Sequence, residues 1–135
     1  LLSFSGVYYI LGGFRKHGIN LIGLFHFSAK RTPNKLCISD ENGELSYFDL
    51  YDKGKKLAFA LQEEFTITKD SKIAILCRNH SLSIVALGAI SRLGADIIFL
   101  NVEMSTDQIQ NIISKEKFDL TIYDNNLEEK LNNLR

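Results

Sequence analysis

The sequence lacks the features that mark several specialised classes of protein. Its 135 residues contain only two cysteines, Cys37 and Cys77, each within an apolar, strand-like run. A disulfide framework or a cysteine-rich metal site needs more cysteines at closer spacing, so we predict buried free thiols in a reducing compartment, the cytoplasm. Sixteen basic residues balance sixteen acidic residues, and a chain without excess charge is not expected to bind nucleic acid.

Long apolar runs are also missing. The uncharged segment 1–14 is shorter than the about 20 apolar residues that a membrane span requires, and its basic neighbours follow it, the reverse of a signal peptide. We predict an N-terminal apolar extension over residues 1–18, packed on other parts of the protein, with peripheral membrane contact through residues 1–14 as the alternative. The chain begins at Leu1 and its only methionine is Met104, so we expect a piece of a longer protein.

Phosphate-binding glycine patterns are absent as well. Neither G-x-G-x-x-G nor a Walker-type loop occurs in the sequence, although either would be typical of a nucleotide-binding strand–loop–helix unit. His17 and His26 have no cysteine or histidine at metal-ligand spacing. No nucleophile, base and orienting group lie close together in the sequence. We therefore predict no catalytic, cofactor-binding or metal-binding residue in this chain.

The clearest pattern that is present runs from Lys72 to Asn101. An apolar strand over residues 72–77 is followed by a polar corner, an apolar helix over residues 82–93 that Gly94 ends, and a second strand over residues 96–100. Two strands joined by one helix are expected to lie parallel. A third strand over residues 119–123 follows a helix that begins with Ser105 and Gln108 in capping-box spacing.

The first third of the sequence predicts two helices and a hairpin. A helix over residues 19–30 has Leu21, Leu24, Phe25 and Ser28 on its expected buried face. Strands over residues 35–39 and 44–47 flank an Asn-Gly turn, which favours a tight hairpin. Ser46 then caps a helix with a continuous apolar stripe, and Asn126 is predicted to cap a last, weak helix. The fold class is therefore α/β, a parallel sheet with crossover helices and an N-terminal β-hairpin, and the predicted domain covers residues 19–135.

Arg78, Asn79 and His80 are the best candidates for the edge of a ligand pocket. They follow a parallel strand and precede a helix, the position where open α/β sheets gather ligands. The competing structural interpretation makes Asn79 or Ser81 the helix cap, Arg78 a solvated residue and His80 a surface turn residue. We favour this structural interpretation, because no partner groups are visible in the sequence. The acidic residues of the hairpin turn, Asp40 among them, are expected to be solvated.

Three stretches in order resemble the amino-terminal part of adenylate-forming enzymes, the AMP-binding acyl-CoA synthetases and their relatives. They are AKRTPNKLCISDENGELSYFDLYDKGKKLAFALQ, DSKIAILCRNHSLSIVALGAISRLGADIIFLN and STDQIQNIISKEKFDLTIYD. The resemblance covers nearly everything from Gly18 to Asp124. Within that superfamily ILCRNH, SRLGAD and FLN look most like long-chain fatty-acid CoA ligases. The departures are small: Ser81-Leu82 and Asn101-Val102 stand where many relatives carry proline or other residues.

The resemblance implies a two-step ligation for the full-length parent. ATP and a fatty acid or other carboxylate would give an acyl-adenylate and pyrophosphate with Mg²⁺, and coenzyme A would then give the thioester and AMP. The family's Thr/Ser/Gly-rich phosphate loop, its adenine- and ribose-binding motifs and its catalytic lysine are absent from this sequence. The resemblance therefore implies an incomplete N-terminal subdomain that is inactive alone and, with apolar surface and strand edges exposed, prone to self-association. The alternative is a free-standing α/β binding or interaction module.

Overall fold

The computed structural model of the protein describes residues 21–132. The predicted N-terminal extension, residues 1–18, and its proposed membrane contact lie outside this range. Within it the elements follow one another as α1 (Leu21–Arg31), β1 (Leu36–Asp40), β2 (Gly43–Ser46), α2 (Tyr47–Phe65), β3 (Lys72–Leu76), α3 (Ser81–Leu93), β4 (Asp96–Phe99), α4 (Thr106–Glu116), β5 (Leu120–Tyr123), a 3₁₀ turn (Asn125–Leu127) and α5 (Glu128–Asn132).

The three predicted parallel strands form one sheet in the order β4-β3-β5. Lys72 pairs with Asp96 and Ile75 with Phe99 on one side of β3, and Leu76 pairs with Tyr123 on the other side. Strands β1 and β2 form a separate antiparallel hairpin. The α/β fold with a parallel sheet and an N-terminal hairpin is confirmed.

Strand β3 is the centre of the molecule because both of its faces are covered. Ile73 and Ile75 contact helices α2 and α3 on one face, in a cluster with Ala58, Leu61, Ile67, Ala89 and Ile90. Ala74 and Leu76 contact α4 and the C-terminal turn on the other face, in a cluster with Leu100, Ile109 and Leu127. Alternate residues of a strand point to opposite faces, so the continuous apolar run of β3 builds two cores at once.

Three of the predicted helix ends are present in the structure, with the hydrogen bonds or backbone conformation expected of them. Ser46 and Asp49 form a reciprocal capping box at the start of α2, and Ser105 and Gln108 form another at the start of α4. Gly94 ends α3 with a positive φ of 75°, a conformation that costs glycine little. These three helix ends are confirmed.

The predicted buried face of α1 is wrong in part. Leu24 is 56% exposed, whereas Ile22 and Ala29 are buried. The helix docks where Gly88 of α3 has no side chain, and the ring of Phe25 fills that space. Several faces of α1 carry apolar residues at helical spacing, so periodicity alone could not identify the buried face. Packing against α3 determines which face is buried. In the part of the chain that the structure describes, no helix is long and apolar enough to cross a membrane.

Candidate functional site

The polar corner after β3 lies beside the end of β5, and together they border a cavity of about 460 Å³. Cys77, Arg78, His80 and Asp124 all line it. Arg78 and Asn79 also line a second cavity, of about 470 Å³, on the side of β4. Both cavities sit at the carboxyl ends of the parallel strands, where ligands bind in open α/β sheets. A ligand-binding role for Arg78, Asn79 and His80 stays a prediction.

His80, rather than Asn79 or Ser81, caps helix α3. Its backbone is extended, and its ring Nδ1 accepts a hydrogen bond from the Ser83 N–H at 3.2 Å. The Ser83 hydroxyl in turn accepts from the His80 N–H. Both predictions for the cap were wrong, because an imidazole nitrogen can occupy the acceptor position that Asn or Ser usually fills. His80 is also no surface turn residue, since its side chain is only 16% exposed.

Asp124 joins the end of β5 to this corner. One of its carboxylate oxygens lies 2.7 Å from His80 Nε2, and the other accepts from the Arg78 N–H at 2.8 Å. Because Nδ1 of His80 accepts the capping bond, the neutral ring carries its proton on Nε2 and donates it to Asp124. Asp124 was missed from the sequence. The available signal was its position directly after the third apolar strand, since the ends of parallel strands meet at one edge of the sheet.

The electrostatics of this cluster exclude a reactive cysteine at neutral pH. Burial raises the pKa of the Cys77 thiol to about 12, and the charge and hydrogen bond of Asp124 contribute in the same direction. Burial also opposes ionisation of Asp124, but bonds from the Arg78 N–H, the His80 ring and the Cys77 thiol outweigh it and lower the pKa of that carboxyl. The thiolate is the nucleophilic form of cysteine, so a protonated Cys77 is not a nucleophile.

Asp40 of the hairpin reaches the first turn of α3. Its carboxylate accepts hydrogen bonds from the Ser81 N–H and from the Ser81 hydroxyl, the latter at 3.2 Å. The backbone bond from Ser81 is the main cause that lowers the pKa of Asp40. The expectation that Asp40 is simply solvated was therefore wrong. Its partner is 41 residues away in the chain, beyond the reach of local sequence patterns.

The contact between Asp40 and Ser81 affects what the start of α3 can bind. A helix N-terminus with free N–H groups is a site for phosphate, but here the protein's own carboxylate and His80 occupy that position. A phosphate would have to displace Asp40 and would meet Asp124 nearby. The neighbouring cluster also does not fit Mg²⁺, which prefers six oxygen ligands in octahedral geometry. At this corner the first turn of α3 is therefore already bonded to side chains of the chain itself.

Cys77, His80 and Asp124 form a cluster with a different ligand preference. One donor atom from each residue lies within 4.8 Å of the others. Sulfur and imidazole ligands suit zinc and related ions rather than magnesium. Sequence reasoning did not single out this set, although Cys77 and His80 stand three residues apart.

Comparison with known proteins places these features in a family. A family model described as AMP-binding enzyme matches residues 25–135. Tyrocidine synthase 1 of Brevibacillus parabrevis is 31% identical over 106 residues, which are 77% of this chain and 10% of that protein. The medium/long-chain-fatty-acid–CoA/3-oxocholest-4-en-26-oate–CoA ligase of Mycobacterium tuberculosis (strain H37Rv) is 20% identical over 116 residues, 86% of this chain and 21% of that ligase.

A solved structure shows the same fold. The chain superimposes on O-succinylbenzoate coenzyme A synthetase from Bacillus subtilis, in complex with AMP, with a TM-score of 0.72 and 20% identity. The superposition covers 82% of this chain and 29% of that enzyme. The chain thus spans about a fifth or less of the two curated relatives and less than a third of the solved enzyme.

Proposed function

This chain belongs to the family of AMP-binding enzymes, and we propose that it is the N-terminal part of an ATP-dependent acyl-CoA ligase. The parent would join a fatty acid or another carboxylate to coenzyme A through an acyl-adenylate, with release of pyrophosphate and then AMP. The single observation that carries this proposal is the family match over residues 25–135. The stretches ILCRNH, SRLGAD and FLN support the fatty-acid branch, as does the similarity to a medium/long-chain ligase.

In this proposal the chain is a scaffold and supplies no catalytic group. The position where a phosphate could bind, the start of α3, is filled by Asp40 and His80. The thiol of Cys77 is held in its protonated form. ATP, Mg²⁺ and coenzyme A would therefore be held by other parts of the parent, and bound ATP would supply the adenylyl group there, with pyrophosphate as the leaving group. Arg78, Asn79 and His80 would contribute at most one edge of a pocket.

The location that goes with this function is the cytoplasm. Cys37 and Cys77 are both free thiols in the structure, which is typical of proteins in a reducing compartment.

A second candidate function is amino-acid activation by a peptide synthetase. The observation that favours it is the 31% identity to tyrocidine synthase 1, higher than the 20% identity to the fatty-acid ligase. Both candidates share formation of an adenylate from ATP and a carboxylate. They differ in the acid that is activated and in the thiol that receives it.

ATP–pyrophosphate exchange tests the proposal. The complete translation product of the reading frame that contains this sequence should catalyse exchange with fatty acids and form acyl-CoA, whereas the 135-residue chain should show none. Exchange with amino acids and no acyl-CoA would support the peptide-synthetase candidate instead.

Two outcomes would overturn the scaffold role. Exchange by the 135-residue chain alone would mean that it carries catalytic groups. A complete product of only this length, with no exchange toward any acid, would favour a free-standing binding or interaction module. Size-exclusion chromatography of the chain then tests the expected self-association.

A further inference from the structure

Three donor atoms of different chemistry meet at the edge of the sheet between β3 and β5. The thiol of Cys77, the imidazole of His80 and the carboxylate of Asp124 lie within 4.8 Å of one another. Cys77 and His80 lie in the corner after β3, and Asp124 follows β5, 44 residues after His80. His80 and Asp124 are already paired at 2.7 Å. We propose that Cys77, His80 and Asp124 form a binding site for one zinc-like divalent cation. This proposal does not depend on the acyl-CoA ligase function.

The spacing fits a tetrahedral ion after a small adjustment. With the usual bond lengths of zinc to sulfur, nitrogen and oxygen, ligand atoms stand roughly 3.3–3.6 Å apart. To reach this geometry the His80 and Asp124 atoms must separate by less than about 1 Å from their 2.7 Å contact. The Cys77 sulfur, which lies within 4.8 Å of both, must approach them by up to about 1.5 Å. All three residues line the same cavity, which leaves an entry path and a fourth position for water. The side chains of His80 and Asp124 are 16% and 17% exposed, so bulk water competes little.

Binding of the ion releases one proton. Before binding, Cys77 is a thiol, Asp124 is a carboxylate and His80 carries its proton on Nε2. The ion takes the lone pair of Nε2, so the ring proton moves to Nδ1. The charge of the ion must also offset the burial and the Asp124 charge that hold the thiol proton of Cys77, which then leaves to solvent. The site then holds one thiolate, one carboxylate and one neutral imidazole, whose two negative charges match the charge of a divalent cation.

The start of α3 has to adjust to this change, because a protonated Nδ1 would face the Ser83 N–H, donor against donor, at 3.2 Å until the His80 ring turns away. Nδ1 of His80 loses its bond from the Ser83 N–H when it becomes protonated. That N–H also lies 3.2 Å from the carbonyl oxygen of His80 and keeps this acceptor. The Arg78 N–H bonds to the carboxylate oxygen of Asp124 that does not face His80, so it can hold Asp124 in place for the ion as an outer partner does in established metal sites.

Titration of the reduced 135-residue chain with Zn²⁺ and with Co²⁺ tests the site. We expect one ion per chain, a rise in melting temperature, and a thiolate-to-cobalt charge-transfer band in the near ultraviolet. The band identifies a sulfur ligand in the unaltered protein, so this readout needs no variant. No saturable binding, or cobalt binding without that band, would overturn the proposal.

Two variants that each remove one ligand, and one control variant, test the assignment. Cys77→Ser removes the sulfur, and His80→Asn removes the imidazole but keeps a good helix cap. Each should weaken binding by more than the roughly 10–100-fold that loss of an outer partner costs. Cys37→Ser removes the other thiol and is the matched control, which should bind with unchanged affinity. Equal affinity in Cys77→Ser and the unaltered chain, or loss of binding in Cys37→Ser alone, would show that the ion lies elsewhere.

Discussion

Replacement of Asp124 tests how the corner after β3 is held to the end of β5. The variant Asp124→Ala removes the acceptor of the Arg78 N–H at 2.8 Å and of His80 Nε2 at 2.7 Å. Hydrogen bonds to charged groups contribute roughly 1.5–3 kcal/mol each, and less where water can replace the lost partner. Since the Asp124 side chain is 17% exposed, we expect the free energy of unfolding to fall by about 2–4 kcal/mol for the two bonds together.

Urea denaturation followed by circular dichroism measures this loss. The sequence has no tryptophan, so helical ellipticity is the natural signal, and a chelator keeps metal binding out of the comparison. Asn126→Ala is the matched control, because Asn126 is exposed and lies inside the 3₁₀ turn Asn125–Leu127 instead of capping the last helix as predicted. The free energy of unfolding of this control should lie within about 0.5 kcal/mol of that of the unaltered chain. A loss of less than about 0.5 kcal/mol in Asp124→Ala would refute the idea that these bonds stabilise the fold.

The pH dependence gives a second check on the same residue. The pKa of Asp124 is lower in the folded chain than its ordinary value, because bonds from Arg78, His80 and Cys77 outweigh the effect of burial. A lowered pKa means that the stabilisation is fully present above the unfolded pKa of about 3.9 and is lost as pH falls through the folded value. The stability difference between the unaltered chain and Asp124→Asn should therefore be constant near neutrality and shrink below about pH 4. A difference that grows on acidification would contradict the assignment.

Three further predictions use the same denaturation assay. Gly88→Ala places a methyl group 2.8 Å from the ring of Phe25 and should lower the free energy of unfolding by about 1–3 kcal/mol. The control Gly54→Ala, whose added methyl group has its nearest neighbour at 3.7 Å, should raise it by about 0.5–1 kcal/mol through helix propensity. Equal effects of the two variants would mean that the helices reposition freely. Thr66 has a φ of 56°, a conformation that costs a branched residue roughly 1–2 kcal/mol, so Thr66→Gly should stabilise the chain, and a loss would show that the Thr66 side chain contributes elsewhere. Ser46→Ala removes the cap of α2 and should cost about 1 kcal/mol; no change would indicate that water replaces the cap.

The parallel sheet and its helices could be predicted because their signals are local. The apolar run of β3 is short, continuous and bounded by polar residues, as a strand covered on both faces must be. Gly94 ends its helix through its own backbone freedom, and the capping boxes at Ser46 and Ser105 need only residues three positions away. Patterns of this kind depend on neighbours in the sequence, so they are legible without the fold.

The candidate site could be predicted only in part, because its bonds are long-range. The corner with Arg78, Asn79 and His80 was identified by its place between a strand and a helix. Its partners Asp40 and Asp124 were not identified, since they lie 41 and 44–46 residues away. The cap of α3 was assigned to the usual residue types, whereas His80 takes that role with Asp124 fixing its ring.

The order of helices and strands, the fold class and the resemblance to AMP-binding enzymes can all be read from the chain alone, because each depends on apolar periodicity, helix ends and the succession of short stretches. Packing in three dimensions selected the buried face of α1 and the residue that caps α3, and it brought Cys77, His80 and Asp124 together. Sequence patterns miss such contacts because parallel strands bring distant segments to one edge of the sheet. The charge and burial found there set the protonation of Cys77 and Asp124, and no single segment contains that information.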